Sequence, residues 1–308
     1  MACIKVAAVQ SGVDPRWTPG EWSNHLRWQL AVARDAGADL TVFPAWIGSY
    51  QDSFPLGYPR EVLGTLLRLL GDLAREARMH LVPGSLPVRC PDGISLRSFL
   101  IDPEGELLGE QDQIQPPAGF RPGRDLRVFS SKLGCIGIII GEDAFVPEIG
   151  RILALQGADL FCVPQSLPAP YNPWRQIAGT WQAVQANQVP AAEACLVGEF
   201  NGVSHAGCSR VLSVVETTAD DSGFLAEAHS TTETEIVTGE IDLTELEKAR
   251  KAFPIFHGFN LRLYRNLVHA YSHEIWKETR EPRQSEGQSR EPANRDEGAG
   301  GGEDAGHE

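Results

Sequence analysis

The sequence contains no run of the roughly 18 uncharged apolar residues that a membrane-spanning helix needs, which argues against an integral membrane protein. It is also poor in basic residues: 27 Lys and Arg stand against 41 Asp and Glu, a formal charge of -14. Such a surface repels phosphate backbones and anionic lipid, so neither nucleic acid nor a membrane is an expected partner. The six cysteines, Cys3, Cys90, Cys135, Cys162, Cys195 and Cys208, include no C-x-x-C pair and lie mostly in apolar runs. That pattern suits free, buried thiols in a reducing compartment and argues against a disulfide framework. No glycine-rich phosphate cradle precedes a helical segment, so no nucleotide cofactor is expected. The opening MACIKVAAVQ alternates like a strand rather than like a leader, and a cytoplasmic protein is the expectation.

What is present is ordinary globular material: 308 residues, 42% hydrophobic and 22% charged. From about Met1 to Lys277 short β-rich runs alternate with amphipathic segments, and no long Ser/Pro/Gly linker divides them, so one domain over 1–277 is expected. Thr279 to Glu308 holds eight acidic and four basic residues, six glycines, two prolines and no Val, Ile, Leu, Phe, Tyr or Trp. A segment of that composition cannot bury enough apolar surface to offset its ordering entropy, so 278–308 is expected to be a disordered acidic tail, best read as a solvating extension.

Strands are expected at Ile4 to Gln10, Leu40 to Phe43, Leu81 to Ser85, Ser98 to Asp102, Cys135 to Ile140, Leu160 to Val163, Cys195 to Glu199 and Glu235 to Ile241. Helices are expected at Glu21 to Ala36, Glu61 to Arg78, Pro147 to Gln156 and Trp174 to Asn187, where apolar residues recur at three- and four-residue intervals. Alternating strand and helix imply an α/β layered architecture. IDPEGELLGE, with Pro103 and Gly105 between two β-like runs, reads as a hairpin.

Four collinear segments carry a resemblance. GADLTVFPAW at Gly37 to Trp46 is similar to a G-A-D-L-I-V-F-P-E strand end, and SFLIDPEGELLGEQDQIQP at Ser98 to Pro116 to a hairpin leading into Y-R-K-x-H. LGCIGIIIGEDAFVPE at Leu133 to Glu148 is similar to G-x-x-I-C-Y-D-x-x-F-P-E. The stretch from Trp174 through AVQANQVPAAEACLVGEFNG to HAGCSRV is similar to R-A-x-E-N-x-x-Y-V-V-x-A-N-x-x-G followed by G-x-S. Together these resemble the nitrilase, or carbon-nitrogen hydrolase, superfamily over about Ile4 to Tyr264. The resemblance implies a four-layer α-β-β-α sandwich that assembles into dimers or larger oligomers. It also implies a chemistry in which a Glu acts as general base, a Cys attacks a nitrile or amide carbon, and a Lys stabilises the tetrahedral intermediate. Amide carbonyls are poor electrophiles, so such chemistry needs a deprotonated thiol and a fixed positive charge at the developing oxyanion.

None of the three groups is at its matching position. The Glu of the F-P-E strand end corresponds to Ala45, the Lys at the hairpin exit to Gln113, and the Cys to Gly141. The loop that holds a second glutamate in the family is reduced to PPAGFRPG at Pro116 to Gly123. Loss of a covalent nucleophile together with its activating base removes the unit that performs thiol-based hydrolysis.

No other residue is a strong substitute. Cys135 and Cys162 lie inside apolar strands and read as inert core thiols. Ala206 and Gly207 between His205 and Cys208 suggest a turn, and a structural role outweighs a Cys-His dyad. Glu142 and Asp143, if on a strand, face opposite ways and do not share a proton. Asp143 is read first as a structural hydrogen-bond or ion-pair residue and second, with Glu142, Trp46 and Trp174, as part of a residual pocket. Trp174 and Trp181, seven apart, read first as core or oligomer contacts. His269 and His273 have the spacing of a metal pair but no third ligand, so a solvated helix face is expected and no metal.

The preferred expectation is a non-catalytic protein of this fold, a homo-oligomer or a subunit beside an active relative, or a binder of a small amide- or acid-like ligand. The alternative is an atypical amide, nitrile or N-carbamoyl hydrolase in which Asp143 or Glu142 activates water. A third reading is a purely structural partner whose tail recruits another molecule.

Overall fold

A computed structural model of the protein describes residues 3–14, 16–48, 57–258 and 260–266. The expected tail from 278 onward and His269 and His273 lie outside the described residues. The chain divides into two compact units, Met1–Ile255 and Phe256–Glu308, and the described part of the second contains a short helix at 261–266.

The first unit contains the strands β1 (Cys3–Gln10), β2 (Leu40–Val42), β3 (His80–Val82), β4 (Ser85–Cys90), β5 (Gly93–Ile101), β6 (Leu107–Asp112), β7 (Val128–Ser131), β8 (Gly134–Ile138), β9 (Leu160–Gln165), β10 (Ala191–Cys195), β11 (Gly198–Phe200), β12 (Val203–His205), β13 (Arg210–Leu212), β14 (Phe224–Glu227) and β15 (Glu235–Asp242). Its helices are α1 (Pro19–Asp35), α2 (Arg60–Ala77), α3 (Pro147–Leu155), α4 (Pro173–Gln176), α5 (Gln182–Asn187) and α6 (Leu243–Ala252). One sheet runs β15-β1-β2-β3-β5-β4 with β6 paired to β5, and the other runs β14-β13-β10-β9-β8-β7. β1, β2 and β3 are parallel, as are β8, β9 and β10, while β15 lies antiparallel to β1 along its whole length.

The strand alternation of period two decides the layers. Ile4, Val6 and Ala8 of β1 meet Leu40, Val42, Ile136, Ile138, Leu160 and Ala194 between the two sheets. Ala7 and Val9, one residue out of step, face Trp22, Leu26 and Leu30 of α1 and Leu66, Leu70 and Leu73 of α2. On the far side Phe161 and Val163 of β9 pack with Ile149 and Leu153 of α3, Val184 of α5 and Leu246 of α6. The result is the α-β-β-α sandwich the resemblance implied. Helix starts follow local chemistry: Thr18 and Glu21 form a reciprocal capping box at α1, and Asp242 caps α6.

Three expected elements differ in a way that bears on the site. The expected strand Leu81 to Ser85 is two strands, because the chain turns at Gly84 (φ +75°) directly beneath the Pro44 carbonyl. The expected helix Trp174 to Asn187 is broken: Gly179 (φ -93°, ψ -107°) lies in a π-helical turn, Ile177–Trp181, between α4 and α5. The expected strand Cys195 to Glu199 straddles the end of β10 and the start of β11, where Gly198 takes φ +84°. β4, which carries Pro87, was not expected; it lies at the sheet edge, where a residue without an N–H is tolerated. Among the described residues no helix is long and apolar enough to cross a membrane.

Candidate functional site

The ends of β2, β6, β8 and β9 bring Ala45, Gln113 and Gly141 to one place. Beyond β2 the chain turns at Phe43 to Ala45, and the Ala45 N–H donates to the carbonyl of Gln165 at the end of β9 (3.4 Å). The side chain of the same Gln165 donates through Nε2 to the Gly141 carbonyl (3.2 Å). Gly141 opens a 3₁₀ turn, Gly141–Phe145, with φ +55°. A β-carbon built there would stand 3.2 Å from Gln113 Nε2. Gln113 itself is fixed just past β6, its N–H donating to Leu96 O (2.8 Å) and its carbonyl accepting from Gly123 N–H (2.7 Å). The three positions therefore face a common space outside the carboxyl ends of parallel strands, where α/β sheets hold their ligands.

The chemistry of those three residues is neutral. Ala45 is a methyl group, Gly141 has no side chain, and the Gln113 amide donates only to the Gln115 carbonyl (3.3 Å). An aromatic wall stands beside them. Trp46 takes φ +65°, donates from Nε1 to Ser166 Oγ (3.2 Å), and packs its ring 5.6 Å from Phe120 and 5.8 Å from Phe200. Phe120 comes from the short Pro116 to Gly123 loop.

Glu142 and Asp143 are not on a strand but in the 3₁₀ turn. That bend separates them: Glu142 is exposed, 3.9 Å from Arg175, whereas Asp143 is 3% exposed. Both Asp143 oxygens accept backbone N–H groups, from Ile114 (2.7 Å) and Gln115 (2.8 Å). The carboxylate thus clamps the chain that follows Gln113, the structural hydrogen-bond role of the first reading. Burial pushes the Asp143 carboxyl up to about 6, with Glu142 adding to the rise and the two N–H groups opposing it. Trp174 is 77% exposed on the first turn of α4. Trp181 is half-buried, and its Nε1 donates to Ser222 O (2.8 Å).

A pH dependence follows from Asp143. A folded value raised above the unfolded one means that its contribution to stability is complete below about 3.8 and is lost as pH rises through about 6. From pH 4.5 to 7 that loss is about 2 kcal/mol. Asp143→Asn is expected to remove this slope, which urea titrations at a series of pH values would register as a flatter stability profile than that of the unsubstituted protein.

The other candidates are not assembled into a nucleophile. Cys208 Sγ is directed at Ala228 O (3.0 Å) and Glu227 Oε1 (3.4 Å), not at His205, and burial pushes its thiol up to about 12. Cys162 is fully buried, and burial raises its thiol strongly. Ser11 Oγ lies 3.0 Å from His25 Nε2, a pair fourteen residues apart that no sequence motif marks, but Ser11 is fully buried at the end of β1. Gln165 and Glu193, central to how the site is held, also carry no motif. Among the described residues no three His, Cys, Asp or Glu side chains gather in a way that could hold a metal ion.

Comparison with known proteins agrees with this architecture. The family model described as carbon-nitrogen hydrolase matches residues 5–251. A nitrilase from Pyrococcus abyssi is 31% identical over 259 residues, covering 78% of this chain and 90% of that protein. A carbon-nitrogen hydrolase from Helicobacter pylori G27 superposes with a TM-score of 0.75 at 21% identity, covering 87% of this chain and 98% of that one. A mutant of the amidase from Nesterenkonia sp. AN1, showing covalent addition of the acetamide moiety of fluoroacetamide at its active site cysteine, superposes with a TM-score of 0.70 at 22% identity over 85% of this chain and 96% of that one. With two sheets packed between helix layers and a family match over nearly the whole first unit, this chain belongs to the carbon-nitrogen hydrolase family.

Proposed function

We propose that this chain is a non-catalytic member of its family, a cytoplasmic protein that retains the sandwich for assembly, with copies of itself or with an active relative, and for holding a small amide- or acid-like molecule. The observation that carries this reading is Gly141: where the relative from Nesterenkonia has a cysteine that takes up an acetamide group, this chain has a hydrogen atom, with Ala45 and Gln113 beside it. A hydrolase of this type needs a thiolate, a base to form it and a cation for the oxyanion, and the loss of a covalent nucleophile with its base costs on the order of 10⁶ in kcat. The neutral, aromatic character of Trp46, Phe120 and Gln113 favours an uncharged amide over an ion as ligand.

The test is direct. Purified protein is expected to give no turnover above background with nitriles, aliphatic amides, N-carbamoyl compounds and omega-amides, while calorimetry with aliphatic amides registers binding that Trp46→Ala weakens. Turnover that a substitution at Gln113 or Asp143 abolishes would overturn the reading. A water-activating carboxylate is the second possibility, favoured by the raised Asp143 carboxyl. Against it stand both Asp143 oxygens, already engaged by backbone N–H groups. Asp143→Asn distinguishes the two, since only a catalytic carboxylate would take hydrolysis away with it.

A further inference from the structure

The cysteines divide sharply by surroundings. Cys162, Cys195 and Cys208 are buried, and burial raises each thiol. Cys3 is partly exposed but hydrogen-bonded to Glu240, which raises its thiol, with Asp242 adding to the rise. Cys135 is partly exposed with a carboxylate at hand, its backbone N–H donating to Asp159 Oδ2 (2.9 Å). Cys90 alone has cations for neighbours among the described residues. It is the last residue of β4 and partly exposed, and its Sγ lies 4.0 Å from Arg97 Nη2 and 4.0 Å from Arg121 Nη2. Ser95 Oγ is 3.4 Å away, and the Val88 carbonyl 3.8 Å.

The two guanidinium groups are held in place rather than swinging. Arg97 reaches Asp112 (2.6 Å) and Glu110 (2.7 Å), and Arg121 reaches Asp112 (2.8 Å) and Ser95 Oγ (3.1 Å). They also form one wall of a cleft of about 200 Å3, to which Arg124 and Arg127 contribute. Those last two are largely exposed and only loosely paired, Arg124 with Asp92 at 3.5 Å and Arg127 with Asp125 at 3.7 Å. A guanidinium has five N–H donors, so each retains donors for a ligand. In a protein of net charge -14, a partly exposed sulfur next to four arginines is a local exception that attracts anions.

We propose that Cys90 is a covalent attachment site for small disulfides that carry carboxylates. The carboxylates pair with Arg124 and Arg127 in the cleft and bring the S–S bond to the sulfur. Cys90 gives its proton to solvent, and the thiolate attacks the nearer sulfur of the reagent. A new S–S bond forms to Sγ, the old one breaks, and the departing half leaves as a thiolate that takes up a proton. Cys90 is oxidised, and half of the disulfide is reduced.

The experiment compares two reagents on the full chain at low salt and one pH: dithiobis(nitrobenzoate), a dianionic disulfide, and uncharged dithiodipyridine, with mass mapping of the first cysteine labelled. Cys90 is expected to be labelled first. Its ratio of anionic to neutral rates should exceed that of mercaptoethanol, a neutral thiol, by at least about fivefold and shrink with added salt. Replacing Arg124 and Arg127 together by Gln should remove this excess and leave the neutral reaction unchanged, and Cys90→Ser should remove the fast phase. Another cysteine labelled first, a smaller excess, or an excess that survives the double replacement would overturn the proposal.

Discussion

Replacing Glu193 by alanine is expected to destabilise the protein by about 3–5 kcal/mol, read as a lower urea midpoint at unchanged slope. Glu193 is 1% exposed on β10 and lies directly across the strand pair from Arg210, which is 3% exposed on β13. Its two oxygens accept from Gln176 Nε2 and Thr180 Oγ1, both at 2.7 Å. Burial raises the Glu193 carboxyl while Arg210 opposes the rise. Removing the carboxylate would leave a buried guanidinium with only Glu227 and Tyr171 as partners and would strip two buried donors of their acceptor. Glu193→Gln retains the size and one acceptor, so a smaller loss is expected from it. The same side chain bears on the candidate site, because Gln176 and Thr180 fix the start and body of the π-helical turn. Gly179 in that turn approaches Phe145 so closely that a β-carbon would stand 3.0 Å from the ring. Glu193 thereby seats the far end of the turn that begins at Gly141.

Gly84→Ala is expected to cost about 3 kcal/mol, from overpacking and from a left-handed conformation that alanine resists. The new β-carbon would fall 2.0 Å from the Pro44 carbonyl oxygen and 2.7 Å from Ile47 Cγ2, and a backbone oxygen cannot move aside as a flexible side chain does. The strain would pass to the Phe43 to Trp46 turn, which presents Ala45 and the Trp46 ring. Thermal unfolding would measure the loss, and a change in tryptophan emission in the folded state would report the displaced turn. A stability within about 1 kcal/mol of the unsubstituted protein would show that the Pro44 segment yields, contrary to expectation.

Much of the fold was legible in the sequence because it depends on short-range pattern. The parallel strands Ile4 to Gln10, Leu40 to Phe43 and Leu160 to Val163, and the helices that start at capped or proline-marked positions near Glu21 and Pro147, came within a few residues of their observed bounds. Pattern failed where a glycine broke it. Gly84, Gly179 and Gly198 sit inside runs that read as continuous, and only the close approach of Pro44 or Phe145, or the turn that opens the β11 and β12 ribbon, shows why the chain departs there. The acidic pair Glu142 and Asp143 was placed on a strand for the same reason: nothing local marks the left-handed Gly141 that converts the strand end into a turn.

The amino-acid order alone determined which layers form, since alternating apolar side chains assign each face of β1 and β9 to a helix layer or to the inter-sheet core. It also determined that residues 45, 113 and 141 are a methyl group, an amide and a hydrogen, because identity at a motif position is a local property. Only the tertiary structure decided that these three adjoin, that Gln165 ties Ala45 to Gly141, that Asp143 clamps the chain after Gln113, and that Cys90 lies between two arginines. Those contacts join segments tens to more than a hundred residues apart, and such distances are fixed by how strands register and sheets stack, which no local run of residues encodes.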